Sequence, residues 1–127
     1  SDDMCAAARQ RHAGEPRALF TSSEDWLTGS DYVVASGIFN VRLQSPAADW
    51  KRYVIETIDR LARLARRGFA FNCLTSYSDA DRMRPDLFYA DPCELFDYCK
   101  RTFARNVALL HDYGLYEFTL LVRMDRQ

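Results

Sequence analysis

The sequence predicts an α/β domain with a mixed sheet, helices on the faces of the sheet and an antiparallel hairpin at the carboxyl end. Residues 31–39 (DYVVASGIF) are apolar without alternation, as in a strand that is covered on both faces. Residues 49–67 carry apolar side chains at helical spacing, whereas residues 115–123 alternate with a period of two. Helices that separate apolar strands are typical of a mostly parallel sheet, and the closing hairpin makes it mixed.

Length and composition favour a single domain over residues 1–127. Hydrophobic residues make up 48% of the chain and the formal net charge is -1, which argues against a basic nucleic-acid binder. No apolar run reaches the roughly 18 residues that a membrane-spanning helix needs. The chain opens with no secretory signal pattern, so we expect a cytoplasmic protein without a nucleic-acid or membrane partner.

The four cysteines are Cys5, Cys73, Cys93 and Cys99. They form no C-x-x-C pair, and their spacing matches no zinc signature. We therefore expect free thiols in a reducing compartment and no metal site, with a disulfide or a bound metal as the alternative.

The first elements are short. Residues 2–12 carry acidic residues first and arginines last, a charge order that suits a helix dipole, and Gly14 and Pro16 then break the helix. Residues 17–22 are expected to form a strand, followed by a polar loop over residues 22–30.

Two strands flank the main helix. The strand over residues 31–39 passes through the small residues Ala35-Ser36-Gly37, which allow a ligand or another backbone to come close. The helix over residues 49–67 is expected to end at Gly68, and residues 69–74 form the next buried strand.

The last third combines a long loop, a helix and a hairpin. Residues 75–91 form a polar loop of a length that is usually functional or disordered. Asp91-Pro92 is a typical helix start, with the aspartate as cap and proline in the first turn. Val107–Tyr113 and Leu115–Arg123 are expected to be the two arms of the closing hairpin around Gly114.

Several segments, taken in order, resemble the carboxyl-terminal two-thirds of a class I S-adenosylmethionine-dependent methyltransferase, which has a Rossmann-like sheet. Ser1–Arg9 is similar to the S-x-x-M-x-x-x-A-R start of the helix after the family's second strand. Leu19-Phe20 and Glu24-Asp25-Trp26 resemble the third strand and the loop that reaches the adenine. Asp31–Asn40 resembles the fourth strand and the motif after it. The later helix, strand and hairpin are similar to the family's fifth strand and its sixth and seventh strands.

The resemblance also implies that part of the fold is missing. The five glycines contain no G-x-G, so the family's first strand, its glycine-rich loop and its second strand with a terminal acid have no counterpart. In the family these strands lie between the third and the fourth. We expect either a piece of a longer enzyme, completion by a second copy or another chain, or direct pairing of strand 17–22 with strand 31–37.

The resemblance implies S-adenosylmethionine as the cofactor, with Met4, Asp25, Trp26, Ser36 and Gly37 on the cofactor side. It places Phe39, Asn40, Asn72 and Tyr77 on the substrate side. Ligands of open α/β sheets bind outside the carboxyl ends of the strands, which agrees with this placement.

Several of these residues also have an ordinary structural interpretation, and residues 36–40 can be a plain exit from the strand into a loop. Met4 and Phe39 can be core side chains, and Asn72 can bond a local backbone group. Asp25 can be a surface aspartate, with Trp26 as an anchor.

The two neighbouring residues His111 and Asp112 do not suggest a catalytic pair. On a strand their side chains would point to opposite faces of the sheet.

Two function hypotheses follow. The first is S-adenosylmethionine-dependent methyl transfer to a small-molecule acceptor, such as a sugar or lipid intermediate, by an enzyme of which this chain is an incomplete portion. Such a transfer needs mainly alignment, and a base only where the acceptor must lose a proton. The second is a non-catalytic α/β module that forms a homodimer through exposed sheet edges.

Overall fold

The computed structural model describes residues 2–15 and 29–124. Its elements, in chain order, are α1 Asp2–Arg11, β1 Ser30–Ala35, α2 Ala47–Leu64, β2 Ala65–Thr75, β3 Tyr89–Ala90, α3 Pro92–Thr102, β4 Asn106–Leu110 and β5 Glu117–Arg123. A turn of 3₁₀ helix at Ala80–Arg82 precedes β3. The strand predicted over residues 17–22 and the loop residues Asp25 and Trp26 lie outside the described residues.

The strands form one mixed sheet in the order β1-β2-β5-β4, with β3 paired to the end of β2. β1 and β2 are parallel and α2 connects them, whereas β5 runs antiparallel to both β2 and β4. The predictions of a mixed sheet and of a closing antiparallel hairpin are therefore confirmed.

One face of this sheet is covered by α2 and α3. Apolar side chains from alternate positions of the strands, including Phe69, Phe71 and Leu120, form one buried cluster with Ile58 of α2 and Cys99 of α3. Paired residues on neighbouring strands share a face, so the intervening positions point the other way.

The opposite face is largely open in the part of the chain that the structure describes. Tyr32 and Val34 of β1 are 61% and 75% exposed, and α1 buries no residue. Helices were expected on both faces of the sheet, and α2 and α3 cover only one. A hollow of about 670 Å³ lies on the open face, between Tyr32, Val34 and residues of β4 and β5 such as Ala108 and Leu121.

The junction between α2 and β2 differs from its prediction. The helix was expected to continue to residue 67 and stop at Gly68, but it ends at Leu64, and Ala65 already belongs to β2. Ala65 is buried and pairs with Ser30, so strand pairing overrides the helix-like run of arginines that follows. Gly68 lies inside β2, where an added Cβ would come within 2.6 Å of the backbone oxygen of Val122.

The start of α3 agrees with the sequence. The carboxylate of Asp91 accepts hydrogen bonds from the backbone N–H groups of Cys93 (2.9 Å) and Glu94 (3.4 Å), and Pro92 occupies the first turn. Farther along, Tyr98 Oη donates a hydrogen bond to Asp59 Oδ1 at 2.6 Å, which joins α3 to α2.

The hairpin arms are shorter than predicted. The first arm was expected to reach Tyr113, but β4 ends at Leu110 and β5 begins only at Glu117. The prediction that His111 and Asp112 lie on a strand is therefore wrong, because both belong to the loop over residues 111–116. Turn-forming residues such as Asp112 and Gly114 concentrate in this loop.

All four cysteines are free. Burial raises the pKa of Cys73 and of Cys99 to about 12. Among the helices that the structure describes, none combines the length and the apolar character needed to cross a bilayer.

Candidate functional site

The candidate site lies at the edge of the sheet where β1 and β2 end. Because these strands are parallel, their carboxyl ends meet at one edge, and the last ladder pair is Ala35 with Phe71. The residues that follow β1 are held beside β2 by side chains instead of by ladder hydrogen bonds. This edge is where open α/β sheets bind ligands.

Asn72 fastens the end of β1 to β2. Its Oδ1 accepts a hydrogen bond from the backbone N–H of Gly37 at 2.7 Å, and its Nδ2 donates to Ser36 Oγ at 3.1 Å. We call these three residues the Asn72 bridge. The side chain of Asn72 thus bonds a local group, which was one of its two interpretations, while contact with a substrate stays a prediction.

Gly37 has no side chain to cover its backbone just after β1 ends. Its φ of +70° lies in the left-handed region that favours glycine. Among the described residues, no heavy atom beyond the chain neighbours of Gly37 lies within 4 Å of the position that a Cβ would take. The predicted space beside the Gly37 backbone is therefore present among the described residues. The hydrogen bond to Asn72 fixes the position of that backbone.

Phe39 and Asn40 anchor the segment that follows. Phe39 is fully buried and meets Phe71 edge to face at 5.8 Å, and its backbone oxygen accepts a hydrogen bond from Trp50 Nε1 at 2.8 Å. Asn40 Oδ1 accepts from the backbone N–H of Leu74 at 3.2 Å. The side chain of Phe39 thus serves as core, and a substrate-facing role for this segment stays a prediction.

A second group of side chains gathers where β2 ends, and we call it the His111 cluster. It contains Thr75, Tyr77, His111 and Phe118. His111 Nε2 forms a hydrogen bond of 2.8 Å with Thr75 Oγ1. The backbone N–H of Tyr77 donates a separate hydrogen bond of 3.1 Å to Thr75 Oγ1. The imidazole ring is stacked near Phe118 (6.1 Å) and meets the Tyr77 ring edge to face (5.8 Å).

Tyr77 is the member of this cluster that sequence reasoning selected, and its ring is 69% exposed. The nearby Cys93 thiol, which also hydrogen-bonds with its hydroxyl, raises the pKa of Tyr77. Thr75 was not selected, and His111 was considered only as a partner of Asp112 and set aside, because the contact between Thr75 and His111 joins positions 36 residues apart. The turn residues around His111 were the available signal that it lies off the strand.

The loop over residues 111–116 contributes two further tyrosines. Tyr116 Oη donates to Asp79 Oδ2 at 2.6 Å, and this hydrogen bond raises the pKa of Tyr116. Tyr113 Oη shares a hydrogen bond of 2.8 Å with Thr119 Oγ1. Thr119 is the cross-strand partner of Asn72, so this bond lies next to the Asn72 bridge.

The other predicted residues lie apart or outside the described ranges. Met4 is on α1 and 73% exposed, so its interpretation as core filling is wrong and its cofactor role stays a prediction. Asp25 and Trp26 lie outside the described residues. A hollow of about 310 Å³ borders this edge between the first turns of α2 and α3, where Lys51 and Glu94 form an ion pair. The larger hollow is on the open sheet face, nearer the amino-terminal half of β2.

Comparison with known proteins assigns the chain to a family. A protein of Mycobacterium tuberculosis strain H37Rv, named putative methyltransferase Rv1506c, is 57% identical over 123 residues, which span 97% of this chain and 74% of that protein. No protein-family model and no solved structure matches the chain. At this identity and coverage, the chain belongs to the methyltransferase family of this mycobacterial protein.

Proposed function

We propose that this chain takes part in S-adenosylmethionine-dependent methyl transfer to a small-molecule acceptor, such as a sugar or a lipid intermediate. The observation that carries the proposal is the Asn72 bridge, which holds an open glycine backbone at the carboxyl edge of two parallel strands. The methyltransferase name of the mycobacterial relative supports the same reaction class.

The residues present fit one side of the cofactor. Gly37 leaves space for close approach, because no atom of residues 2–15 or 29–124 beyond its chain neighbours lies within 4 Å of the position of its absent Cβ. S-adenosylmethionine supplies an electrophilic methyl group on a sulfonium, which is already a good leaving group. The protein's own task is then to align the acceptor and to exclude water.

The described side chains suit that task. Asn72 fixes the path of the backbone at Gly37, and the buried Phe39 pins the next residues to the core. Tyr77 and His111 stand at the end of the neighbouring strand, where an acceptor would meet them. Positioning of this kind contributes to catalysis without any covalent step by the protein.

We further propose that the chain is an incomplete portion of the enzyme. β1 is an edge strand of the sheet in residues 29–124. The resemblance identifies β1 with the family's fourth strand and implies that the missing first and second strands would lie beyond this edge, between the third strand and the fourth. About a quarter of the mycobacterial relative also lies outside the match, since the match covers 74% of it.

Cofactor binding tests the proposed reaction. Calorimetric titration with S-adenosylmethionine and with S-adenosylhomocysteine should give saturable binding, and Gly37→Val should weaken it at least tenfold. Gly29→Val is a matched control, because Gly29 also has a positive φ (+83°) and open space but precedes β1. Equal affinity in both variants would contradict the placement at Gly37.

The full-length mycobacterial relative tests incompleteness. If residues outside the match complete the cofactor site, the relative should bind S-adenosylmethionine more tightly than this chain does. Equal affinities would show that this chain is sufficient. Absence of binding by both proteins would end the proposal of methyl transfer from this cofactor.

The second candidate function is a non-catalytic module that dimerises through sheet edges. It is favoured by the position of β1 and β4, each at one edge of the described sheet with one strand neighbour along the main path. Sedimentation velocity over a range of concentrations measures the dimer directly. A stable dimer that binds no methyl donor would favour this candidate.

A further inference from the structure

The hydroxyl group of Thr75 is the hydrogen-bond partner of Nε2 on the neighbouring His111 imidazole. Thr75 is 1% exposed, and its Oγ1 has two hydrogen-bond partners among the described residues. The backbone N–H of Tyr77 is one partner, and it can only donate. The hydroxyl proton of Thr75 therefore needs an acceptor, because a buried hydroxyl without one loses about 1–3 kcal/mol.

His111 Nε2 lies 2.8 Å from Thr75 Oγ1, within reach to accept this hydrogen bond. A neutral imidazole that accepts at Nε2 carries its hydrogen on Nδ1. His111 is exposed, and its hydrogen-bond partner within residues 29–124 is Thr75 at Nε2, so Nδ1 is the ring nitrogen that is left to a ligand. The rings of Phe118 and Tyr77 hold the imidazole in this orientation.

We infer that His111 donates a hydrogen bond from Nδ1 to an oxygen atom of the methyl acceptor, and that the acceptor's apolar side lies against Tyr77. The Tyr77 ring is 69% exposed beside the imidazole, which places a flat apolar surface next to an oriented donor. A hydroxylated ring, such as a pyranose, offers both an oxygen lone pair and an apolar side. The inference rests on the proposed function only in identifying this ligand as the methyl acceptor.

With its hydrogen on Nδ1, His111 would not act as a general base toward the acceptor. A base needs a free lone pair on the nitrogen that meets the acceptor, whereas Nδ1 already carries a hydrogen. His111 would then affect how tightly the acceptor binds and leave the rate of transfer from the bound state nearly unchanged.

The tautomer can be measured directly on the free protein. Long-range ¹⁵N–¹H correlation spectra of the neutral imidazole should show the hydrogen of His111 on Nδ1. Thr75→Val removes the hydroxyl with little change of shape and should give a mixture of tautomers. A hydrogen on Nε2 in the wild-type protein would overturn the inference. His12, in the turn after α1, gives the reference signal.

Sugar binding is the second measurement. Methyl hexopyranosides as free sugars, and decyl hexopyranosides as models of a glycolipid head group, should shift the His111 ring signals on titration. His111→Phe keeps an aromatic ring without the donor and should weaken binding about tenfold, while His12→Phe should leave it unchanged. Unchanged binding in His111→Phe, or no binding of either sugar class to the wild-type protein, would overturn the inference.

Turnover and donor affinity distinguish this inference from the proposed function. With a sugar that is methylated, His111→Phe should raise KM about tenfold and leave kcat within about threefold. A large loss of kcat would instead identify a base and overturn the assignment. Sugar binding by a protein that binds no methyl donor would remove the proposed function but support the sugar subsite.

Discussion

The amide of Asn72 lies 2.7 Å from the backbone nitrogen of Gly37 and takes over where the strand ladder stops. Ladder pairing of β1 with β2 ends at Ala35 and Phe71. Beyond that point one side chain satisfies the backbone donor of Gly37 and also reaches Ser36 Oγ. At Ser36 and Gly37 the chain is therefore held to β2 by the side chain of Asn72 instead of by backbone pairing.

Replacement of Asn72 should detach residues 36 and 37 from β2. Asn72→Leu removes both hydrogen bonds and should lower the free energy of unfolding by about 1–2 kcal/mol. Asn72→Asp keeps an acceptor for the Gly37 N–H and should lose less. Urea denaturation measures both variants. A leucine variant as stable as the wild-type protein would show that the bridge contributes nothing to stability.

Gly68 should not tolerate a side chain. A Cβ at this position would lie 2.6 Å from the backbone oxygen of Val122, and neither strand can move without breaking the β2–β5 ladder. Gly68→Ala should therefore lower the free energy of unfolding by about 1–3 kcal/mol. Gly114→Ala is the matched control, because nothing lies within 4 Å of its Cβ position. Equal losses in urea denaturation would contradict the close approach.

Two buried thiols should lower the free energy of unfolding at alkaline pH. Burial raises the pKa of Cys73 and Cys99 from 9.0 to about 12, so the folded state keeps the protons that the unfolded state releases. Their contribution to stability is complete below pH 9 and decreases as pH rises from 9 towards 12. Between pH 8 and 10 the loss should be about 1 kcal/mol per thiol.

Urea denaturation under reducing conditions at pH 8 and pH 10 measures this loss. The Cys73→Ala/Cys99→Ala double variant should be less stable at pH 8, because both side chains fill the core. Its stability should nevertheless change less between the two pH values. Parallel pH dependences for the wild-type and double-variant proteins would rule out the thiols as the cause.

Two tyrosine–aspartate hydrogen bonds of equal length should differ in strength. Tyr98 donates to Asp59 between α3 and α2 in a partly buried setting, whereas Tyr116 donates to Asp79 on the surface, each at 2.6 Å. Tyr98→Phe should lower the free energy of unfolding by about 1 kcal/mol, and Tyr116→Phe by less than about 0.5 kcal/mol. Thermal denaturation compares the two variants, and equal shifts in Tm would contradict the role of burial.

Local sequence signals predicted those parts of the fold that depend on local chemistry. Asp91-Pro92 marks the start of α3 because capping involves only the next few residues. The apolar stripe of Val54, Ile58 and Leu61 identifies α2, and the period-two pattern identifies β5, because burial of one face determines both.

Long-range contacts determined what the sequence could not show. Arg66 and Arg67 before Gly68 look like the end of a helix, yet pairing with β1 and β5 places all three in a strand. His111 was assigned to a strand, and its contact with Thr75 becomes visible only in the folded chain. The Asn72 bridge could be predicted in part, since Ser36, Gly37 and Asn72 were each selected, but their mutual hydrogen bonds could not.

The direct passage from Leu64 of α2 to Ala65 of β2 leaves no spacer between the two elements. A single inserted residue would either turn the apolar stripe of the helix by about 100° or exchange the two sides of the strand. The second outcome would bring Phe69 and Phe71 out to solvent. Natural variants of this protein should therefore keep the chain length constant through this junction.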